Sequence, residues 1–559
     1  IVASMDGVVR IAGVRTQGVG HVGPAIERVV LVPGGVVTRI GSRRQVSGGI
    51  VGELCYGRLK LFTVVGIGDM GGDVFGNGML LSQHIRLLAA FNHQHIFIDP
   101  EPDAAAGYAE RARLFALPRS SWADYDRGLI SAGGGIFERD AKSITLTPEI
   151  KARFDIEPDH VTPAELISLL LRAPFDLLWN GGIGTYVKSS QESNTDVGDK
   201  GNDGLRVNAD DLRCKVVGEG GNLGLTQLAR VEYGLNSGRS NTDFIDNAGG
   251  VDCSDHEVNI KILLDAVVAR GDLPGKHLNA LLEEMTETVA ELVLKNNYRQ
   301  VQCLSLVEHQ AEERAGEYQR FIRAFEERGR LDRALEFIPT DEELLERRAQ
   351  GMTLTRPELA VMVSYSKAVL KEELIDAELD GDPFLAGAVE SAFPAQLVER
   401  YPDDIQAHRL HREILATQVA NDIVNRMGLN FVLRQRKATG ATTADVACAY
   451  AAVMEIYRLA EIWEQIEALD HVVANDVQTE MMLDLIRLVK RATRWVLRNR
   501  RRELAPSALV EQFRTGVESL RDALPMLMRS RGGEQYQALH DRYLEAGAGP
   551  ELATAVAGT

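Results

Sequence analysis

The chain has 559 residues, of which 45% are apolar, and its formal net charge is −18. This length suffices for three or four domains with apolar cores, and the acidic balance argues against general binding to nucleic acids or anionic membranes, which require basic surface. A small-molecule enzyme is therefore the expected class.

The 5 cysteines are far apart, and none belongs to a C-x-x-C pair or to a Cys/His cluster with metal-ligand spacing. Reduced thiols and no bound metal are the simplest interpretation. Apolar runs fall short of the roughly 18 residues that a membrane helix needs, and the glycine-rich start lacks the apolar core of a signal peptide. We therefore expect a cytoplasmic protein.

Residues 1–60 are rich in glycine and valine and contain one lysine, Lys60. They show neither a sustained strand alternation nor a helical stripe, so no fold is assigned to them. This composition is typical of a shifted reading frame or a mis-assembled fragment, a hypothesis that translation of the coding DNA in all three frames would test.

Residues 61–254 alternate strand-like and helix-like runs, as βαβ units do. The first strand leads into Gly66, Gly68 and Gly71, which form a G-x-G-x-x-G pattern between a strand and a helix. In this context the first glycine permits the tight turn, the second lets the backbone approach a pyrophosphate, and the third permits close packing of strand and helix. A dinucleotide site is predicted, with a plain strand-to-helix connection as the alternative.

An acidic residue at the end of the next strand would bind the ribose hydroxyls. His95–Ile98 is the predicted second strand, and Asp99 follows it, about 28 residues after Gly71 where roughly 20 are expected. Asp99 could instead cap a turn before Pro100. Together with Asp69 and Asp73, which flank the glycine turn, Asp99 favours NAD over NADP, because a 2′-phosphate would require an arginine there. Arg111 and Arg113, within a dozen or so residues of the strand end, are the alternative that would supply one.

Three further strands are predicted to end in turns of glycine and asparagine. The runs 175–179, 215–218 and 243–246 lead into the turns that begin at Asn180, Glu219 and Asn247. Ligands in open α/β sheets bind beyond the carboxyl ends of strands, where glycine gives the backbone access to the ligand. A cofactor site is therefore expected at this edge. The capping box at Thr162 predicts a helix through Leu171.

Residues 255–559 read as consecutive helices. A capping box at Thr355 begins one of them, and amphipathic runs follow at 444–468 and 476–497. The last run contains basic residues around Trp495, namely Lys490, Arg491, Arg494, Arg498, Arg500, Arg501 and Arg502. A nucleotide-binding patch is one interpretation, and a solvated face or an ion-pairing surface is the preferred one.

Several segments together closely resemble the large NAD-specific glutamate dehydrogenases. They are GIGDMGGDVFGNGMLLS, HIFIDPEPD, SWADYD with the following GGGIF, LLWNGGIGTYVK, KVVGEGGNLGLTQLAR and NAGGVDCSDHEVNIKILL. The resemblance extends from about Leu61 to the C-terminus and is densest through Leu264. It implies an α/β Rossmann-like nucleotide-binding domain over residues 61–264, followed by a mostly α-helical domain over residues 265–559.

Two turns are also similar to the wider glutamate dehydrogenase superfamily. That similarity implies that Asn222 and Asn247 lie near the nicotinamide and its ribose, and that Val251 and Ser254 face the substrate side chain. From the residues alone, the asparagines could be turn residues, and Ser254 the N-cap of a helix beginning near Asp255. The predicted cofactor-binding residues are Gly66, Gly68, Asp69, Gly71, Asp99, Asn180, Gly181, Asn222 and Asn247.

The implied reaction is the oxidative deamination of L-glutamate by NAD in a homo-oligomer, giving 2-oxoglutarate and ammonium. In the superfamily the catalytic lysine and aspartate precede the nucleotide-binding fold, whereas residues 1–60 offer Lys60 alone. Deamination needs a base for the ammonium proton and cationic groups for the dicarboxylate. We therefore assign no catalytic residue, and a non-catalytic NAD-binding or assembly module is the alternative.

Overall fold

The computed structural model describes residues 61–559, apart from 378, 380, 381, 501–503, 528 and 529. Within the first 60 residues it describes four two-residue strands, β1 (Val2–Ala3), β2 (Val9–Arg10), β3 (Val37–Thr38) and β4 (Gln45–Val46). Otherwise the unassigned segment 1–60 lies outside the described residues. Two compact units are present, one comprising Ile1–Val258, Leu273–Val301 and Arg333–Ala360, the other Asn259–Asp272, Gln302–Asp332 and Val361–Thr559.

A six-stranded sheet of order β14-β11-β5-β6-β7-β8 forms the centre of the first unit. Its strands are β5 (Phe62–Ile67), β6 (Ile85–Phe91), β7 (His95–Ile98), β8 (Gly135–Glu138), β11 (Leu177–Asn180) and β14 (Val216–Glu219). The first four strands of that order run parallel, whereas β7 is antiparallel to both β6 and β8. Further strand pairs are β9 (Ile144–Thr145) with β10 (His160–Val161) and β12 (Val187–Lys188) with β13 (Val207–Asn208).

Helices of the first unit connect these strands. They are Asp73–Leu80, Ala104–Ala116, Pro148–Phe154, Pro163–Leu171, Asn194–Val197, Gln227–Leu235, Asp243–Asp246, Gly275–Glu284 and Asp341–Ala349, with 3₁₀ turns at Trp122–Asp124, Arg127–Leu129, Lys200–Asn202 and Ala209–Asp211. Ala248–Arg270, Thr286–His309 and Arg356–Asp376 each contribute residues to both units.

Strand β5 is buried on both faces, because its alternate side chains enter different apolar clusters. Val65 and Ile67 belong to one cluster, and Phe62 and Val64 belong to the other. Successive strand residues point to opposite faces, and a parallel sheet needs cover on both. This explains why the strand reads as a continuous apolar run.

The second unit is helical throughout its described residues. Besides the helices shared with the first unit, it contains Ala315–Glu327, Pro383–Glu390, Ala395–Arg400, Pro402–Gln406, His411–Met427, Phe431–Thr439, Thr443–Ile456, Leu459–Glu467, Asn475–Asn499, Pro506–Leu527, Ser530–Glu545 and Pro550–Ala557. The predicted order of an α/β part followed by a mostly helical part is therefore confirmed. None of the described helices is long and apolar enough to cross a membrane.

Both predicted capping boxes begin helices. The Thr162 hydroxyl accepts from the N–H of Glu165, whose carboxylate accepts in return from the N–H of Thr162. At the second box, the Glu358 carboxylate accepts from the N–H and the hydroxyl of Thr355. The run 444–468 is interrupted, because Arg458 between its two helices adopts a left-handed φ of 51°.

The structure corrects three predicted elements. The parallel neighbour of β5 is Ile85–Phe91, which the sequence analysis missed, and the predicted second strand His95–Ile98 returns antiparallel beside it. Asp243–Asp246 is a short helix and not a strand, and the helix expected to begin near Asp255 already begins at Ala248. Short apolar runs without alternation do not distinguish a buried strand from a buried helix.

Candidate functional site

The carboxyl ends of β5, β11 and β14 meet at one edge of the sheet. Asn180 at the end of β11 is paired with Ile67 on one side and with Glu219 on the other. The chain leaves β5 towards β6 and returns later to β11 on the opposite side, so the crevice between β5 and β11 is the topological switch point. Ligands of open α/β sheets bind outside the strand ends at this point.

The glycine turn after β5 packs against Phe75, in the first turn of the helix Asp73–Leu80. Gly68 has a φ of 140°, and a Cβ on it would lie 2.7 Å from the Phe75 Cβ. A Cβ on Gly66 would overlap the Phe75 ring, and one on Gly71 would lie 2.5 Å from the Ser120 carbonyl oxygen. Side chains at these positions would therefore push the helix away from the strand.

The backbone of Gly68 is held on both sides. Its N–H donates to the Phe91 carbonyl at 2.7 Å, and its carbonyl accepts from the Trp122 indole N–H at 2.9 Å. The Trp122 ring stacks on Phe97 with centroids 4.8 Å apart. The turn is thus fixed before any ligand binds.

The adjoining helix offers polar backbone groups. Its N-cap, Gly72, makes no side-chain capping hydrogen bond. First-turn N–H groups have no acceptor within their own helix, and the helix dipole favours an anion at this end. Gly181 lies against the same turn, since its N–H donates to the Ile67 carbonyl and a Cβ on it would lie 2.8 Å from the Phe75 Cα. This arrangement suits a pyrophosphate.

Asp69 joins the ends of β5 and β6. Its carboxylate accepts from the N–H of Gly72 at 3.0 Å and from the side-chain amide of Asn92 at 2.6 Å. Asn92 directly follows β6, and its carbonyl accepts from the Arg139 guanidinium at 2.9 Å. The sequence analysis missed Asn92, although it follows Gly71 by about 21 residues, close to the spacing of a ribose-binding residue.

Asp99 does not lie with Asp69 and Asn92 at the ends of β5 and β6. Because β7 runs antiparallel to β6, it leads away from the glycine turn, and Asp99 lies beside Leu88 in the middle of β6, whose carbonyl accepts from the Asp99 N–H at 2.8 Å. The Asp99 carboxylate is buried and accepts from the N–H groups of Ser131 and Glu101 and from the Ser131 hydroxyl. Burial raises its pKa, although these hydrogen bonds lower it. The structure therefore does not bring Asp99 together with the other predicted site residues.

Asn180 links the turns after β11 and β14. Its carbonyl accepts from the N–H groups of Gly220 at 2.8 Å and Gly221 at 3.0 Å. The side chain is buried, and among the described residues its amide nitrogen has no hydrogen-bond partner. This nitrogen faces Gly224, where a Cβ would overlap it. Asn180 thus shapes the floor of the site.

Asn222 and Asn247 are brought together, since the side-chain amide of Asn247 donates to the side-chain oxygen of Asn222. Val251 follows on the helix that begins at Ala248 and is 69% exposed. Ser254 lies within that helix, and its hydroxyl donates to the Gly250 carbonyl at 3.2 Å. Its interpretation as an N-cap is therefore wrong.

Buried charges support the turn after β14. The Arg230 guanidinium donates to the Glu219 carboxylate at 2.7 and 2.9 Å and lies 3.1 Å from Asp243. Asp243 in turn accepts from the N–H of Leu223 at 2.8 Å, and the Glu219 carboxylate accepts from the N–H of Leu225 at 3.0 Å. The network thus fixes the loop that carries Asn222.

Asp246 connects the end of β14 to the turn that carries Asn247. Its carboxylate accepts from the N–H of Glu219 at 3.0 Å and from the side-chain amide of Asn241 at 2.6 Å. Burial raises the pKa of Asp246 to about 7, against the lowering effect of both donors. Asn247 follows directly, so the charged network positions both asparagines of the site.

Two family models match the chain. Residues 57–307 match the catalytic domain of bacterial NAD-glutamate dehydrogenase, and residues 351–559 match the C-terminal glutamate dehydrogenase model. The chain belongs to the bacterial NAD-glutamate dehydrogenase family. The turns described above all lie within the part that matches the family's catalytic domain.

Curated relatives in this family carry the name NAD-specific glutamate dehydrogenase. The protein from Pseudomonas aeruginosa is 58% identical over 89% of this chain and 31% of its own length. The Halomonas elongata protein is 54% identical over 89% of this chain and 31% of its own length. The Mycobacterium tuberculosis protein is 46% identical over 82% of this chain and 28% of its own length. The chain thus spans about a third of the length of the relatives it matches.

Proposed function

We propose that the protein carrying this chain is an NAD-dependent glutamate dehydrogenase that oxidatively deaminates L-glutamate to 2-oxoglutarate and ammonium. The observation that carries the proposal is the meeting of the glycine turn, Gly181 and the pair Asn222–Asn247 at the switch point of the sheet. Relatives that share 46–58% identity are named for this activity.

Residues 61–264 form a Rossmann-like NAD-binding domain in this proposal, and residues 265–559 form the helical domain. The first turn of Asp73–Leu80 holds the pyrophosphate, which can approach closely because Gly68 has no side chain, while Asn222 and Asn247 orient the nicotinamide and its ribose. Val251 and Ser254 face the substrate side chain. When bound, NAD accepts the hydride from the α-carbon of glutamate.

The proposal includes a cytoplasmic homo-oligomer. Cys214, Cys253 and Cys303 are buried and form no disulfide with another described residue, as is typical of reduced intracellular thiols. Burial raises the pKa of Cys253 to about 12, so its thiol is unsuited to act as a nucleophile.

Replacing Asn247 with alanine tests the nicotinamide assignment. The change removes a side-chain amide that donates to Asn222, and we expect kcat/KM for glutamate-dependent NADH formation to fall about tenfold, the cost of roughly one hydrogen bond. The measurement uses the protein carrying this chain, supplied with L-glutamate and NAD. NADH binding without any turnover by the unmodified protein would favour the alternative, a non-catalytic NAD-binding or assembly module.

Of the acidic residues that the sequence analysis associates with NAD preference, we propose Asp69, and not Asp99, as the one that disfavours NADP. A 2′-phosphate beyond the end of β6 would face the Asp69 carboxylate, which binds Asn92, so Asp69→Asn should narrow the ratio of NAD to NADP affinity several-fold. Binding of both reduced cofactors is measured by calorimetry. Asp99→Asn is the matched control, because Asp99 lies beside the middle of β6 and not at the strand end that carries Asn92.

If Asp69→Asn and Asp99→Asn narrowed the ratio of NAD to NADP affinity equally, Asp69 would not be the source of the preference for NAD. Arg139 offers a second test, because its guanidinium donates to the Asn92 carbonyl and so places a cation at the end of β6. Arg139→Gln should therefore weaken NADP binding more than NAD binding.

A further inference from the structure

Arg356 begins the helix Arg356–Asp376 and reaches a polar residue behind the proposed cofactor site. Its Nε donates to the side-chain oxygen of Asn241 at 2.5 Å, and its Nη2 donates to the Val301 carbonyl at 3.3 Å. Arg356 and Asn241 are both buried. Asn241 belongs to the part of the chain that matches the family's catalytic domain, whereas Arg356 belongs to the part that matches the C-terminal model. The C-terminal match therefore supplies an arginine to the interior of the first unit.

Hydrogen bonds lead from Arg356 to the turn that carries Asn247. The Asn241 amide donates to Asp246 at 2.6 Å, and the other oxygen of Asp246 accepts from the N–H of Glu219, at the end of β14, at 3.0 Å. Asp246 directly precedes Asn247, whose amide donates to a side chain of the turn after β14. The position of Asn247 therefore depends on how Asp246 is held.

The guanidinium of Arg356 decides which way the Asn241 amide faces. A guanidinium only donates hydrogen bonds, so Asn241 turns its oxygen towards Arg356, and its NH₂ group then points at Asp246. Without Arg356 the amide could turn over and present its oxygen to the Asp246 carboxylate, which is repulsive. Arg356 therefore secures the hydrogen bond from Asn241 to Asp246.

The start of this helix is fixed to neighbouring elements of the first unit. The buried Glu358 carboxylate accepts from the N–H and the hydroxyl of Thr355 and from Arg347 at 2.8 Å. The side-chain amide of Gln227, at the start of the helix Gln227–Leu235, donates to the Pro357 carbonyl at 3.4 Å. The arginine between Thr355 and Pro357 thus has a firmly held backbone.

The charged groups on the described elements around Asp246 are Glu219, Asp243, Arg230 and Arg356. Arg230 is engaged by Glu219 and Asp243. Burial raises the pKa of Asp246, and the positive charge of Arg356 opposes this shift. An ionised carboxylate accepts at both oxygens, whereas a protonated one carries an O–H that cannot face an N–H donor. Arg356 thus favours the form of Asp246 that accepts both of its hydrogen bonds.

We propose that Arg356 is a positioning residue for the nicotinamide end of the cofactor site, acting through Asn241 and Asp246 to hold Asn247 against Asn222. This role rests on the proposed function, in which Asn222 and Asn247 orient the nicotinamide and its ribose. The segment that matches the C-terminal model thereby takes part in cofactor binding, although Arg356 itself does not contact the cofactor in this role.

Arg356→Met in the protein carrying this chain removes the cation and its donors. We expect NADH binding, measured by calorimetry, to weaken about tenfold, as for a hydrogen bond that involves a charged group. KM for NAD should rise by a similar factor, whereas KM for L-glutamate should stay within about twofold. Arg356→Lys, which keeps a cationic donor, should recover part of the affinity. Arg348→Gln is the control, because Arg348 is exposed on the preceding helix, and it should leave NADH affinity unchanged.

A double substitution separates positioning from general destabilisation. If Arg356 acts through Asn247, Arg356→Met should weaken NADH binding by less than about twofold in a protein that already carries Asn247→Ala. An equal loss in both backgrounds would overturn the proposal, as would unchanged NADH affinity of the single Arg356→Met variant. Absence of NADH binding by the unmodified protein would instead overturn the proposed function, and this role with it.

Asn241→Asp keeps the test decisive if Arg356→Met fails to fold. It preserves an acceptor for Arg356 but places a carboxylate against Asp246, and two carboxylates share a hydrogen bond only while one of them is protonated. The NADH affinity of this variant should therefore fall several-fold between about pH 6 and about pH 9, with no such fall in the unmodified protein. Identical pH profiles of the two proteins would overturn the proposal.

Discussion

Replacing Gly68 with valine is expected to weaken NADH binding at least a hundredfold, about 2.7 kcal/mol. The new Cβ would lie 2.7 Å from the Phe75 Cβ, at a φ of 140° that side chains rarely adopt. Relief of this contact displaces the first turn of Asp73–Leu80, whose N–H groups are the proposed pyrophosphate ligands. Calorimetric titration with NADH measures the loss, and circular dichroism verifies that the variant is folded.

Gly204→Val is the matched control for this experiment. Gly204 belongs to the same unit, is exposed, and has no neighbouring atom within 4 Å of an added Cβ. Its replacement should leave NADH affinity within about twofold, since surface substitutions away from special features change little. A folded Gly68→Val protein that bound NADH as tightly as this control would refute the assignment of the cofactor turn.

Removing Arg230 is expected to destabilise the turn after β14 by about 3–5 kcal/mol, because one partner of a buried ion pair would be left without its countercharge. Arg230→Met keeps an unbranched apolar stem but removes the guanidinium, which leaves the Glu219, Asp243 and Asp246 carboxyl groups together without a cation in direct contact. Hydrogen exchange of β14 and Gln227–Leu235 should accelerate by more than a hundredfold, since it reports the local opening free energy.

Lys151→Met is the control for this second experiment. Lys151 forms an ion pair with Asp159, whose side chain is 76% exposed, and exposed pairs contribute about 0–1 kcal/mol. Equal acceleration of exchange in the two variants would show that burial does not strengthen the Arg230 pair. If Arg230→Met also weakens NADH binding, the network positions Asn222 and Asn247 as the geometry indicates.

Local sequence patterns were sufficient to predict those features that depend on residues close together in the sequence. The capping box at Thr162 fixed the start of a helix because both of its hydrogen bonds span three residues. The glycine turn is predicted from the G-x-G-x-x-G spacing between a strand and a helix, and the structure shows that Gly68 there has a positive φ, which glycine adopts without strain. The hydrogen bond between Asn222 and Asn247 was not predicted, since a contact between residues 25 positions apart leaves no local signature; the family resemblance implied only that both lie near the nicotinamide and its ribose.

Long-range pairing decided the rest. Whether a strand runs parallel or antiparallel depends on its partner, and the antiparallel direction of His95–Ile98 carries Asp99 away from the glycine turn to a position beside the middle of β6. The polar side chain at the end of β6 is Asn92, which donates a hydrogen bond to Asp69, 23 residues earlier in the sequence. The sequence alone determined the α/β and helical order and the glycine turn, because local hydrogen bonds and backbone sterics specify them. Only the tertiary structure decided which polar side chains meet, because that depends on sheet order and burial.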